Sequence, residues 1–178
     1  LLNSYRQHAV EIAAALPQYK PGVVDTPYWG FMRLGHTMLL GVVTTVYGAN
    51  LTGLTASVAL YTLMFACTVA AAGLLTIRLF DFFAPQAPRQ AVLRATVLSA
   101  CLYVASDISR YLAGNLVAEI PSMLFLTLGA LLLVESSRRN NLALAMFSGL
   151  AAFAVFVTKM ELAWGYVVFF LLFGFAVA

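Results

Sequence analysis

Three ionisable residues interrupt apolar or aromatic stretches of this 178-residue sequence: Asp25 in VVDTPYW, Glu119 in NLVAEIPSMLFLTLGALLLV and Lys159 in GLAAFAVFVTKMELAW. A carboxylate beside apolar surface is costly, so it calls for a cation, a hydroxyl or a metal as its partner. An ammonium in the same setting suits a phosphate. Each residue also has a plainer reading. Asp25 lies just ahead of Pro27 and suits a turn. Glu119 suits a helix N-terminus, with Pro121 in the first turn, where its missing N–H costs nothing. Lys159 at a helix end can extend its stem toward lipid headgroups.

Other chemistries find little footing. His36 in FMRLGHTMLLG has no second histidine at metal-ligand spacing, and His8 is distant. Asp107 and Arg110 stand three apart in SDISR and can make a local pair. There is no Ser-His-Asp order, glycine-rich phosphate loop or Cys-x-x-Cys pair. Cys67 and Cys101 both lie inside apolar runs and read as small buried hydrophobes, not as a disulfide or metal pair. The net charge of +3 comes without a basic patch interleaved with aromatics, so nucleic acid is not an expected partner.

The elements that must position these residues are apolar helices. The chain is 62% hydrophobic and 10% charged, with a mean hydropathy of +0.91. Its apolar runs repeatedly approach the length of about 20 residues that a bilayer demands. They do not alternate as the strands of a membrane barrel do. The expected fold is therefore all-α: an integral membrane bundle of five to six transmembrane or interfacial helices. Residues 1–30 read as an outer-face loop in which HAVEIAAALPQY forms a short interfacial helix, and Tyr28 and Trp29 suit the headgroup level. The bundle then occupies residues 31–178, in six segments: Phe31 to Tyr47, Leu54 to Ile77, Ala91 to Ala105, Leu116 to Val134, Leu142 to Val157, and Trp164 to the end. The first carries Arg33 and His36 and suits an interfacial position. A start at Leu1 and an end inside FFLLFGFAVA predict a piece of a longer protein.

The links between segments orient the bundle. RLFDFFAPQAPRQAVLR and ESSRRNN hold Arg78, Arg89, Arg94, Arg138 and Arg139, whereas SDISRYLAGN and TKMELAWG hold only Arg110 and Lys159. Excess basic residues in short links mark the cytoplasmic side. Arg6, Lys20 and Arg33 in the long N-terminal segment offset this count, and the short links weigh more. Asp25, Asp107, Glu119, Glu161, Arg110 and Lys159 then share the outer face. A bundle end that collects acids and bases is a candidate polar cavity.

In that arrangement the chain resembles the membrane-embedded GT-C glycosyltransferases, in the branch of the protein mannosyltransferases and the lipid A aminoarabinose transferase. DTPYWGFMRLGHTMLLGVVTTVYGAN is similar to the family's acid-proline-aromatic segment running into a helix. NLVAEIPSMLFLTLGALLL resembles its span opening with an acid and a proline two residues later. SGLAAFAVFVTKMELAW resembles its helix ending in Leu-Thr and a basic residue. The order and rough spacing of the three match over nearly the whole chain. The resemblance implies a sugar donor carried on polyprenyl phosphate and transfer at the extracytoplasmic face, in a bacterial inner (plasma) membrane. It implies that Asp25 helps to bind the donor phosphate, in some members through a divalent metal. It also implies that Glu119 lines the same cavity and Lys159 neutralises the lipid phosphate, with Arg110, Tyr28 and Trp29 as further substrate-binding candidates. The main base, on an outer-loop acid, is then expected upstream of Leu1, so that this piece alone is inactive. The tandem of prolines beside the family's acid is absent at Asp25.

A second expectation stands beside it: a non-catalytic, membrane-spanning accessory subunit that packs in a larger membrane complex. A small transporter fits less well, because no segment carries an ionisable residue at its centre.

Overall fold

The computed structural model describes residues 34–48, 50–105 and 119–177. Asp25, Tyr28, Trp29, Asp107 and Arg110, with the expected outer-face segment 1–30, lie outside the described residues. Within these residues the chain is all-helical and no strand occurs. The helices are α1 (Leu34–Tyr47), α2 (Leu51–Phe83), α3 (Arg89–Ala105), α4 (Glu119–Arg139), α5 (Leu142–Thr158) and α6 (Met160–Val177). Two of them, α2 and α4, are long and apolar enough to cross a membrane, while α5 and the apolar part of α6 are shorter.

Local sequence sets the helix ends. Asn50 opens α2, its side chain accepting from the Gly53 N–H at 3.1 Å. Gly48 closes α1 with φ 81°, a left-handed conformation that glycine adopts without a Cβ penalty. The α1–α2 turn is tight: a Cβ on Gly53 would collide with the Gly48 carbonyl oxygen. The turn from α4 to α5 uses consecutive asparagines. Asn140 takes φ 49°, and Asn141 caps α5 by accepting from the Ala143 and Leu144 N–H groups at 2.9 and 3.4 Å. Pro88 precedes α3, its carbonyl accepting from the Ala91 N–H at 2.8 Å.

The order along the chain becomes a set of packed hairpins with α4 at the centre. It buries Ile120, Ser122, Leu124, Gly129, Ala130, Val134 and Ser136 against α2, α5 and α6. Small residues on this face let the backbones approach closely. A Cβ on Gly129 would sit 2.8 Å from the Tyr166 ring and 3.3 Å from Ala151. Behind it, Ser148 of α5 donates to the Gly129 carbonyl at 2.9 Å and shares a short hydrogen bond with Tyr166 of α6. This buried polar knot joins three helices. Phe173, farther along α6, packs its ring on Phe82 and Phe83 at the end of α2.

One end of the bundle is a network of ions. Arg78 of α2 reaches Glu135 of α4 at 2.6 Å. Asp81 receives Arg138 and Arg78, each at 3.2 Å, and Arg139 holds the other side of Glu135 at 2.9 Å. The two arginine-bearing links therefore lie at the same end. These contacts also show that α2 and α4 run in the same direction.

The outward surface is apolar. Leu93, Leu98 and Leu102 of α3, Phe153 of α5 and Leu172 and Phe175 of α6 are all exposed. Cys67 and Cys101 belong to this outer surface: both are exposed and free, not buried as their apolar surroundings predict. In a helix that is apolar on every side, hydrophobicity does not distinguish the packed face from the outer one.

Candidate functional site

At the end of α4 opposite the arginine network, the Lys159 ammonium donates to the Glu119 carboxylate. Glu119 is the first residue of α4, where the helix dipole favours an anion. Lys159 closes α5, where the dipole favours a cation. Its backbone is extended, with φ −160° and ψ 97°. Its N–H still donates to the Val155 carbonyl, and its carbonyl accepts from the Leu162 N–H at 3.0 Å. This one non-helical residue turns the chain from α5 into α6. Both charged side chains are largely buried, Lys159 at 16% and Glu119 at 23% exposure. Pro121 lies in the first turn of α4, as its sequence position predicts.

A hydroxyl pair backs the ions. Ser122, one turn after Glu119, donates to Thr158 at 2.7 Å. Thr158, next to Lys159, donates in turn to the Ala154 carbonyl at 2.7 Å. Both are buried, so α4 and α5 are joined at this level independently of the charges. A second polar pair joins α1 to α2, where His36 Nδ1 and Tyr61 Oη share a hydrogen bond of 2.5 Å. Both side chains are fully buried. Tyr61 packs with Leu40 and Ile120, the neighbour of Glu119. Gly35, beside His36, meets α5, where an added Cβ would lie 3.0 Å from Thr158. Four helices thus bring polar side chains to one level.

Glu119 opens its own span, as expected, while the neighbouring α2 extends beyond that level. The sixteen positions from Glu119 to Glu135 span about 24 Å at the helical rise. The α1–α2 hairpin continues past Tyr61, and the ten positions back to Leu51 add roughly 15 Å. Glu119 starts its own helix but sits well below the tip of α2. The sequence places it by its own segment alone; the longer α2 beside it changes the frame.

An apolar cleft of about 290 Å³ is lined by Gly35 and Leu39 of α1, Pro121 and Phe125 of α4, and Phe153 and Thr158 of α5, among others; Glu119 and Lys159 are not in its lining, but Pro121 and Thr158 are close to them in sequence. Gly35 keeps α1 close to α5, and Phe125 and Phe153 contribute aromatic rings to the lining.

Of the residues singled out from the sequence, the structure joins Glu119 to Lys159, forty positions apart. Asp25, Arg110, Tyr28 and Trp29 are outside the described residues. Glu119 is the only carboxylate at this end among the described side chains, and no group of three or more metal-ligating residues occurs among the described residues. Ser122, Thr158, His36 and Tyr61 escape notice in the sequence as site residues. For two of them a signal exists: Thr158 adjoins Lys159, and Ser122 follows Glu119 by one helical turn. Comparison with protein-family models, curated proteins and solved structures gives no significant match.

Proposed function

We propose that this chain is an integral membrane bundle belonging to a glycosyltransferase, which moves a sugar from a polyprenyl-phosphate donor to an acceptor at the extracytoplasmic face. The observation that carries this reading is the Glu119–Lys159 pair, whose close sequence neighbours Pro121 and Thr158 line an apolar cleft. An ammonium at the level of an apolar groove suits an amphiphile with an anionic head and an apolar tail. Depth supports it. In a bilayer crossed by α2 and α4, about 24 Å from the arginine network lies inside a hydrocarbon layer of about 30 Å. Ionisable residues at such depth are costly and pair with one another around functional sites. With the arginine end cytoplasmic, the pair faces the outer side of a bacterial inner membrane.

The charge accounting fits the chemistry. When sugar leaves the donor, the anomeric carbon–oxygen bond breaks and its electron pair stays on the phosphate oxygen. The acceptor hydroxyl or amine forms the new bond and gives its proton to a base outside the described residues. The phosphate gains one negative charge, which Lys159 stabilises. Removing a single donor of this kind costs about 10²–10³ in rate. Asp25 and a divalent metal belong to the same reading as ligands of the donor phosphate.

The experiment is sugar transfer by the full-length protein in proteoliposomes, supplied with a panel of radiolabelled polyprenyl-phosphate sugars. Lys159→Ala is expected to lower transfer about 100-fold or more. Unchanged transfer in Lys159→Ala and in Glu119→Gln removes these residues from the site.

A second reading, a non-catalytic accessory subunit of a larger membrane complex, draws on one observation: Glu119 and Lys159 neutralise each other within the chain. It expects both variants to lower stability while the activity of the parent complex persists.

A further inference from the structure

We infer that Glu119 is an internal competitor for Lys159: it holds the ammonium while the site is empty, yields it to a lipid phosphate, and reclaims it as the product phosphate leaves. The inference rests on the reading of Lys159 as the lipid-phosphate group and adds a role that differs from acceptor activation.

Four features of the geometry support exchange. The ion pair joins only the tips of two long side chains. The helices beneath it are held by a separate bond, from Ser122 to Thr158 at 2.7 Å, so Lys159 can change partner without moving α4 against α5. Both ions are largely buried but keep some exposure, and Pro121 and Thr158, close to each in sequence, line the apolar cleft. Finally, Glu119 without Lys159 still sits on the N-terminus of α4, which stabilises a carboxylate. Releasing the lysine therefore costs less than it would in the middle of a helix.

Competition of this kind distinguishes donor from product by charge. The donor is a phosphodiester with one negative charge. The product is a monoester with a second proton that leaves near pH 6, so it carries almost two charges at neutral pH. A carboxylate fixed beside the lysine repels the product more strongly than the donor. Glu119 thus keeps the product from occupying the site, and its removal is expected to tighten the monoester more than the diester.

The test is direct binding to the full-length protein in detergent micelles, with farnesyl monophosphate, its methyl diester and inorganic phosphate as probes. In Glu119→Gln the monophosphate is expected to bind roughly tenfold or more tightly, as removal of a nearby like charge requires, with a smaller gain for the diester. The gain must disappear in Glu119→Gln combined with Lys159→Gln. Inorganic phosphate, lacking a tail, is expected to bind more weakly than the monophosphate, and equal affinity overturns the lipid assignment. Unchanged or weaker monophosphate binding in Glu119→Gln overturns the competition, as does a gain that survives loss of Lys159. Thermal unfolding of each variant, with Lys159→Arg as the charge-keeping control, establishes that the folded protein is being measured. Tightening in a protein that transfers no sugar leaves the competition standing and removes the transferase. Intact transfer without tightening does the reverse.

Discussion

Lys159, the residue that ends α5, donates to Glu119, the residue that begins α4, so each charge sits at the helix terminus whose dipole favours it. Two long helices are thereby pinned at the ends where their backbone groups lack intrahelical partners.

Loss of one ion is expected to cost more than loss of a surface pair, about 0–1 kcal/mol, and less than rupture of a fully buried one, about 3–5 kcal/mol. Unfolding of Glu119→Ala, Lys159→Ala and the double variant in micelles checks this. The double variant is expected to be more stable than the sum of the singles predicts. The exchange Glu119→Lys with Lys159→Glu restores the attraction but inverts both dipole contacts, each worth about 0.3–1 kcal/mol. It is expected to recover only part of the loss.

Ser122→Ala and Thr158→Val each remove the hydroxyl bond between α4 and α5. Each is expected to destabilise by about 1 kcal/mol, and their coupling in a double-mutant cycle to be clearly nonzero. Thr158→Ser keeps the hydroxyl and is expected to restore most of the loss. Cycle energies near zero would show that the two hydroxyls do not act together.

Two glycines offer a contrast of sign. A Cβ on Gly53 runs into the Gly48 carbonyl in the α1–α2 turn, whereas one on Gly149 meets nothing within 4 Å on the outer face of α5. Gly53→Ala is expected to open the turn and lower the unfolding temperature. Gly149→Ala is expected to raise stability by up to about 1 kcal/mol through helix propensity. Thermal unfolding of both, read by circular dichroism, decides the order.

At the arginine end, the two acids are not equivalent. Glu135 is 12% exposed and bound by Arg78 and Arg139, whereas Asp81 is 45% exposed. Asp81→Ala is expected to change stability by less than about 1 kcal/mol. Glu135→Ala is expected to cost more, because it leaves Arg78 and Arg139 crowded without their shared anion. High salt is expected to narrow the difference, since exposed pairs are screened more readily than buried ones.

Much of the architecture was legible because apolar length, proline and polar links are local signals. The segments Ala91 to Ala105 and Leu142 to Val157 meet α3 and α5 almost residue for residue. The asparagines of ESSRRNN make the turn between α4 and α5. The segment Leu54 to Ile77 is shorter than α2, which runs to Phe83 because Arg78 and Asp81 find ionic partners instead of ending the helix. The arginine-rich links do lie at one end, and Glu119 and Lys159 come together at the opposite end of α4, below the tip of α2. What the sequence by itself determined was therefore which residues build helices and which helix ends meet. Only the tertiary structure decided the partnerships. Glu119 with Lys159, Ser122 with Thr158 and His36 with Tyr61 all join residues 25 or more positions apart. It also decided which faces turn inward, exposing Cys67 and Cys101. The reason is common to both: helices apolar on all sides carry no amphipathic stripe, so their rotation and register are set by small-residue packing and a few polar contacts between helices.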